Sequence, residues 1–270
     1  MLQHKRVANA ERVKELVDSA FATRYHNLEA TLRNASMAVV LAEENQCEIP
    51  VDLLVAAWTE FGNALRIAGR YEEAEKALNR AAKETVSDPP THIHLLEVMA
   101  SLHRNTRKFE SAAQFLVSAI EIEKSIGNLD GEARHYNHLG LVYLDAGDLQ
   151  RALLSYKTAL DFLGPDAPLD VVASTGHNLV EALIADGRLS AASSALVLLE
   201  PFHRRLTSAR LSSKCAWLRA RLCRELKQFT AARLAYERAY ALMSTEPRSP
   251  ELAELAKEME ALPAASDPRA

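Results

Sequence analysis

The sequence predicts an all-α chain built as a solenoid of antiparallel helix pairs, and three observations carry that prediction. Alanine and leucine dominate a chain of 270 residues that holds only 9 glycines and 10 prolines, a composition that loses little backbone and rotamer freedom in helix. A self-similar segment recurs at steps of 38, 40, 40 and 40 residues, the signature of a repeat architecture. Within each recurrence two stretches of helical periodicity flank a short turn, so the unit is a helical hairpin.

In chain order, Arg6 to Arg24 and Asn27 to Asn45 read as two helices, with Ala35, Val39 and Ala42 a degenerate second-helix face; together they make a first unit over 6–45. Five clearer units follow over about 55–246. Each second helix opens at Tyr71, Phe109, Leu149, Leu189 or Phe229, and three residues on stands Ala74, Ala112, Ala152, Ala192 or Ala232. Leu78, Leu116, Tyr156, Leu196 or Tyr236 comes next, then Ala81, Ala119, Ala159, Leu199 or Ala239. This i, i+3, i+7, i+10 set shares one helix face. The first helices carry Phe61-Gly62, Met99-Ala100, Leu139-Gly140, Leu179-Val180 and Arg219-Ala220, with a small residue where two helices approach closely, Val180 being the departure. Ala68-Gly69-Arg70, Ala146-Gly147-Asp148 and Asp186-Gly187-Arg188 form the turns, glycine supplying the left-handed residue that ends a helix. Pro201, deep in a second helix, removes a backbone bond opposite Val197 and predicts a kink. Ser249, Pro250 and Glu251 suit the start of a capping helix over 249–262 that closes the last apolar face, and 263–270 read as a disordered tail.

Trp58, Phe61, Gly62, Tyr71, Ala74, Leu78 and Ala81, and after them Tyr136, Leu139, Gly140, Tyr143, Ala152, Tyr156 and Ala159, resemble the tetratricopeptide repeat (TPR) family in its longer, bacterial form of about 40 residues. The resemblance implies a right-handed superhelix of about six repeats plus a capping helix, a single domain over 1–262. It also implies a concave groove lined by the first helix of each pair, used to hold a protein or peptide.

With 48% hydrophobic and 25% charged residues the chain is not disordered as a whole. Cys47, Cys215 and Cys223 fit neither a disulfide framework nor a metal knuckle, which points to a reducing compartment. The charged amino terminus lacks the apolar core of a signal peptide and no stretch approaches 18 uninterrupted apolar residues, so a cytoplasmic protein with no membrane partner is expected. No GxSxG, GxxxxGK, HExxH or GxGxxG stands in the sequence. No catalytic residue, no enzymatic activity, no cofactor and no metal are therefore expected; of the histidines, His92 and His94 point to different faces, and His135 with His138 lacks acidic or cysteine company at ligand spacing.

Counting from the small position of each first helix places Thr59, Asn63 and Arg66, then Glu97, Ser101 and Arg104, on the expected groove. Asn137, Leu141 and Leu144, His177, Glu181 and Ile184, and Trp217, Arg221 and Arg224 continue it, with His94, Arg134 and Lys214 one turn earlier on the stripe. An asparagine such as Asn63 or Asn137 can bond a peptide N–H and C=O together; the alternative is a solvated face that happens to carry amides. Charge is distributed unevenly. Residues 201–245 carry a net +8 against −9 for residues 1–200. Arg210, Lys214, Trp217, Arg221 and Arg224 follow at steps of four, three, four and three along one helix face.

The favoured reading is an anchor for an acidic partner segment, Trp217 supplying apolar area and the cations orientation. The alternative tucks Trp217 under the capping helix and leaves the cations in water. The expected function is a protein-interaction scaffold holding a peptide or partner segment between about Thr59 and Arg224. The second expectation is a peptide-sensing regulatory module acting with a separate output protein, since the chain leaves no residues for a DNA-binding helix-turn-helix. The acidic remainder opposes a long nucleic-acid track, and homo-oligomerisation is left open.

Overall fold

The computed structural model describes residues 2–164, 166–205, 209–244 and 250–263, and among these every regular element is a helix. The chain divides into two compact units, residues 1–128 and 129–270. The first holds α1 (Leu2–Thr23), α2 (Leu28–Glu44), α3 (Val51–Ile67), α4 (Tyr71–Ala81), α5 (Pro89–Asn105) and α6 (Phe109–Ser125). The second holds α7 (Leu129–Asp145), α8 (Leu149–Phe162), α9 (Leu169–Ala185), α10 (Leu189–Arg205), α11 (Ala209–Glu225), α12 (Phe229–Met243) and α13 (Pro250–Glu260). Ser249 and residues 264–270, expected as a helix cap and part of a disordered tail, lie outside the described residues. No helix among the described residues is long and apolar enough to cross a membrane.

The repeat register predicted from spacing is the register observed. Ala74, Ala112, Ala152, Ala192 and Ala232 are all fully buried, as are Ala81, Ala119, Ala159 and Ala239. Alanine recurs at these positions because neighbouring helices leave no room for more. At the closest approaches alanine is itself too large: a Cβ on Gly62 would stand 2.7 Å from the Leu78 side chain, and one on Gly140 2.5 Å from the Tyr156 ring. In the fourth clear hairpin a close approach of the same kind falls one turn earlier, at Gly176, with Leu199 2.5 Å from the position of a Cβ, and Val180 is fully buried.

The hairpin turns repeat with equal regularity. Gly69, Arg107, Gly147, Gly187 and Lys227 all have φ between 59° and 79° and stand 38 or 40 residues apart. Each is followed by a backbone N–H that reaches back into the preceding helix, as Asp148 does to the carbonyl of Tyr143 at 2.9 Å and Gln228 to that of Cys223 at 2.8 Å. These bonds satisfy carbonyls that a helix end leaves open. Where Arg107 and Lys227 replace glycine, the left-handed conformation is held against the preference of a side-chain-bearing residue.

Burial is continuous along each unit. In the first, Val13, Leu16, Val39 and Leu54 join α1, α2 and α3, and Val55, Leu65, Leu78 and Leu95 join α3, α4 and α5. In the second, Leu153, Tyr156, Val180, Leu196 and Leu218 join α8 to α11, while Ala220, Tyr236, Met243, Leu255 and Leu262 join α11 and α12 to α13. α10 runs on through Pro201 to Arg205.

Candidate functional site

The first helices of the hairpins carry the expected site residues, and each unit gathers its own set. In the first unit Asn63 is 5% exposed and its Oδ1 accepts two bonds from Arg66, from Nε at 3.2 Å and Nη2 at 2.8 Å. Arg66 is thereby positioned by its own helix. Burial lowers its pKa from the ordinary arginine value. His94, on α5, lies with Nε2 2.5 Å from Glu60 Oε1 on α3 and Nδ1 3.6 Å from Glu97. Burial alone would make the imidazole harder to protonate, but the two carboxylates outweigh it and raise its pKa to about 9. Glu60 is 2% exposed and its second oxygen has no hydrogen-bond partner, so this carboxylate depends on His94. The ring of Phe21 meets His94 edge-on at 6.0 Å, and Arg24 stacks on Phe21. Arg104 is half-buried on α5. Thr59, expected on the groove, is fully buried.

In the second unit a polar ladder crosses three successive first helices. Asn137 on α7 accepts a bond from Asn178 on α9 at 3.0 Å, and Asn178 in turn accepts one from Lys214 on α11 at 3.3 Å. Lys214 lies 3.5 Å from Glu181, and Glu181 is paired with Arg221 at 3.0 Å. Arg134 is exposed on α7. One expectation is corrected here: His177, like Thr59 at the equivalent position of α3, is fully buried and does not line a groove; the residue three before the small position faces the packing side of these helices.

The basic stripe of α11 has acidic company that the spacing within α11 could not show. Arg221 pairs with Glu254 at 3.1 Å and with Glu258 at 2.8 Å, both on α13, in addition to Glu181. Its guanidinium lies 4.5 Å over the Trp217 ring. Trp217 donates its indole N–H to Glu258 at 2.7 Å, and the Tyr236 hydroxyl donates to the same oxygen at 3.1 Å. Burial would lower the Arg221 pKa, but Glu258 and the other carboxylates hold it above the ordinary arginine value. Burial would raise Glu258, but Arg221, Trp217 and Tyr236 together hold it below the ordinary carboxylate range. Arg224 donates to the Tyr236 hydroxyl at 3.3 Å and pairs with Glu225 at 3.1 Å. Trp217 therefore packs beside the capping helix, as the alternative reading had it. The cations Arg221 and Arg224 do not stay in water, contrary to that same reading, since both lie against Glu258. At the other end of the stripe Arg210 is exposed and makes no ion pair among the described residues. Arg210, Lys214, Trp217, Met243 and Glu254 border a cavity of about 250 Å³.

Asn178, Glu254, Glu258 and Glu60 were not singled out from the sequence, and Tyr236 was placed only on a packing face. One signal was available: Glu181 and Arg221 stand 40 residues apart, one repeat step, so equal phase alone places them side by side on neighbouring first helices.

The model of the family described as soluble NSF attachment protein, SNAP, matches residues 29–262. No curated protein matches the chain in sequence. Among solved structures, BtubC (BKLC) from P. vanneervenii is 18% identical with a TM-score of 0.63, over 88% of this chain and 95% of that one. The apo form of RapI is 12% identical with a TM-score of 0.66, over 92% and 95%. A Rap protein complexed with competence and sporulation factor is 11% identical with a TM-score of 0.65, over 95% and 70%. At these identities the likeness is one of fold, that of TPR-like helical repeats.

Proposed function

This chain belongs to the soluble NSF attachment protein family, and on that premise we propose that it is a non-catalytic interaction scaffold that holds an acidic partner segment against the α11 face of its second unit. One observation carries the reading: in a cavity of about 250 Å³ bordered by Trp217, Met243, Glu181, Glu251 and Glu254, Lys214 is met by Glu181 while Arg210 makes no ion pair among the described residues, so Arg210 is the cation open to an incoming carboxylate. Cations beside an aromatic wall suit a partner that brings carboxylates and an apolar anchor together. The charges steer encounter and fix orientation, and the apolar wall slows release. Arg134, Asn137 and Glu181 in the second unit are proposed as further contacts for this segment; Asn63, Arg66, His94, Glu97 and Arg104 are proposed as a separate contact set belonging to the first unit alone. A cytoplasmic setting belongs to the same proposal.

A second reading, a peptide-sensing module acting with a separate output protein, is favoured by the amide of half-buried Asn137, a group that can bond a peptide backbone. The likeness in fold to a Rap protein that holds competence and sporulation factor agrees with it.

Because Arg221 and Arg224 also hold Glu258, they are poor positions at which to test steering. Arg210→Glu with Lys214→Glu is the better pair. A labelled amphipathic peptide rich in glutamate should bind the full chain with an association rate that falls steeply with salt. The double reversal should slow association at least tenfold at low salt and remove most of the salt dependence. Equal binding of a lysine-rich control peptide, or association indifferent to salt and to the reversal, would refute the acidic-partner reading.

A further inference from the structure

The face that α11 and α12 turn to α13 already holds an acidic amphipathic helix, the chain's own. α13 is 11 residues long, below the roughly 12–15 residues at which an isolated helix becomes even marginal in water. Its helicity therefore depends on what it docks against. Leu252, Leu255, Met259 and the following Leu262 join the core of α11 and α12. Glu254 and Glu258, one turn apart, both reach Arg221. Counted from Leu252, the apolar residues stand at i, i+3 and i+7 and the carboxylates at i+2 and i+6. The receiving side chains, Trp217 and Arg221, belong to the same stripe on which the proposed function rests.

We propose that this face is a docking surface for an external acidic amphipathic helix of that pattern, and that α13 is a resident occupant which such a helix displaces. The proposal deepens the acidic-partner reading by specifying the partner's conformation and its route of entry. Three features support exchange over simple addition. The Glu254 arm of the Arg221 latch is 59% exposed, and exposed ion pairs hold weakly; the mostly buried Glu258 arm is remade by the incoming carboxylate at i+6. The apolar burial lost when Leu255 leaves is restored by the incoming residue at i+3, so the hydrophobic terms nearly cancel. Arg210, which α13 leaves without an ion pair, offers a longer helix a contact that the resident does not make. An extended acidic segment without apolar residues could not compensate for uncovering Ala220, Tyr236 and Met243.

The test uses the full chain and a labelled peptide with the sequence of residues 249–262. The chain carrying Glu254→Gln and Glu258→Gln should bind this peptide at least tenfold more tightly than the unmodified chain, since the resident is loosened and the receiving face is unchanged. A peptide with both glutamates replaced by glutamine should bind at least tenfold more weakly, and Trp217→Ala should abolish the gain. If the double variant does not fold, hydrogen exchange on the unmodified chain decides. α13 amides should exchange at least tenfold faster than those in the middle of α11, and faster again when the peptide is added. No gain in affinity, or α13 amides as protected as α11, would overturn the proposal. A concentration-dependent dimer with α13 exchanged between copies would also overturn it, assigning the face to a second copy. Salt-dependent binding of an acidic peptide with α13 exchange unchanged would overturn displacement and leave the proposed function standing.

Discussion

The indole of Trp217 donates a 2.7 Å hydrogen bond to Glu258, a residue 41 positions further along the chain. That bond ties α11 to α13 beneath the stacked Arg221. Trp217→Phe keeps an aromatic ring for Arg221 and removes the donor, while Glu258 retains Arg221 and Tyr236 as partners. The expected loss is about 1.5–3 kcal/mol, that of a hydrogen bond to a charged group, read from denaturant unfolding with an unchanged helical spectrum.

Ala152 is fully buried at the contact between α8 and its neighbours, with Leu153 and Tyr156 beside it. Replacing it with glutamate places an unpaired carboxylate in that contact and should cost several kcal/mol, roughly 3 or more. Thermal unfolding is the measurement, and a variant that melts with the unmodified chain would show that the helix is not seated as described.

The five hairpin turns offer a comparison in which space plays no part. Nothing lies within 4 Å of a Cβ added at Gly147, yet its φ of 79° disfavours any side chain. Gly147→Ala should therefore destabilise by roughly 1 kcal/mol from backbone conformation alone. Lys227, at φ 60°, already bears that cost, so Lys227→Gly should stabilise, by about 0.5–1 kcal/mol. Unfolding midpoints of the two variants should move in opposite directions.

Stability should depend on pH at both ends, for different groups. His94 titrates at about 9 in the folded chain against 6.5 for a free imidazole. Its contribution is fully present below about pH 6.5 and is lost as pH rises through 9, when the buried Glu60 loses its cation. Glu258 is held below the ordinary value, so its contribution is present above that value and is lost as pH falls through its folded pKa. His94→Gln should flatten the alkaline fall while leaving the acid limb in place. Denaturant midpoints across pH 3 to 10 would show whether the two limbs separate in this way.

The sequence by itself determined the helical hairpin, its register and its turns. These are local matters: the spacing of Ala152, Tyr156 and Ala159 sets one helix face, and a residue such as Gly147 must follow each first helix to end it. It also placed Lys214, Trp217, Arg221 and Arg224 on one face of α11. Only the tertiary structure decided what those faces meet. Glu258 and Tyr236 come to Trp217 from other helices, Glu60 comes to His94 from α3, and α9 buries both His177 and Asn178, the latter with its amide held between Asn137 and Lys214. The physical reason is that a helix's own periodicity fixes the direction of a side chain relative to its axis. Its partners depend on the rotation and offset of the next helix, which the packing of Gly176 against Leu199, or of Leu255 into the α12 core, sets at a distance along the chain that no local pattern records.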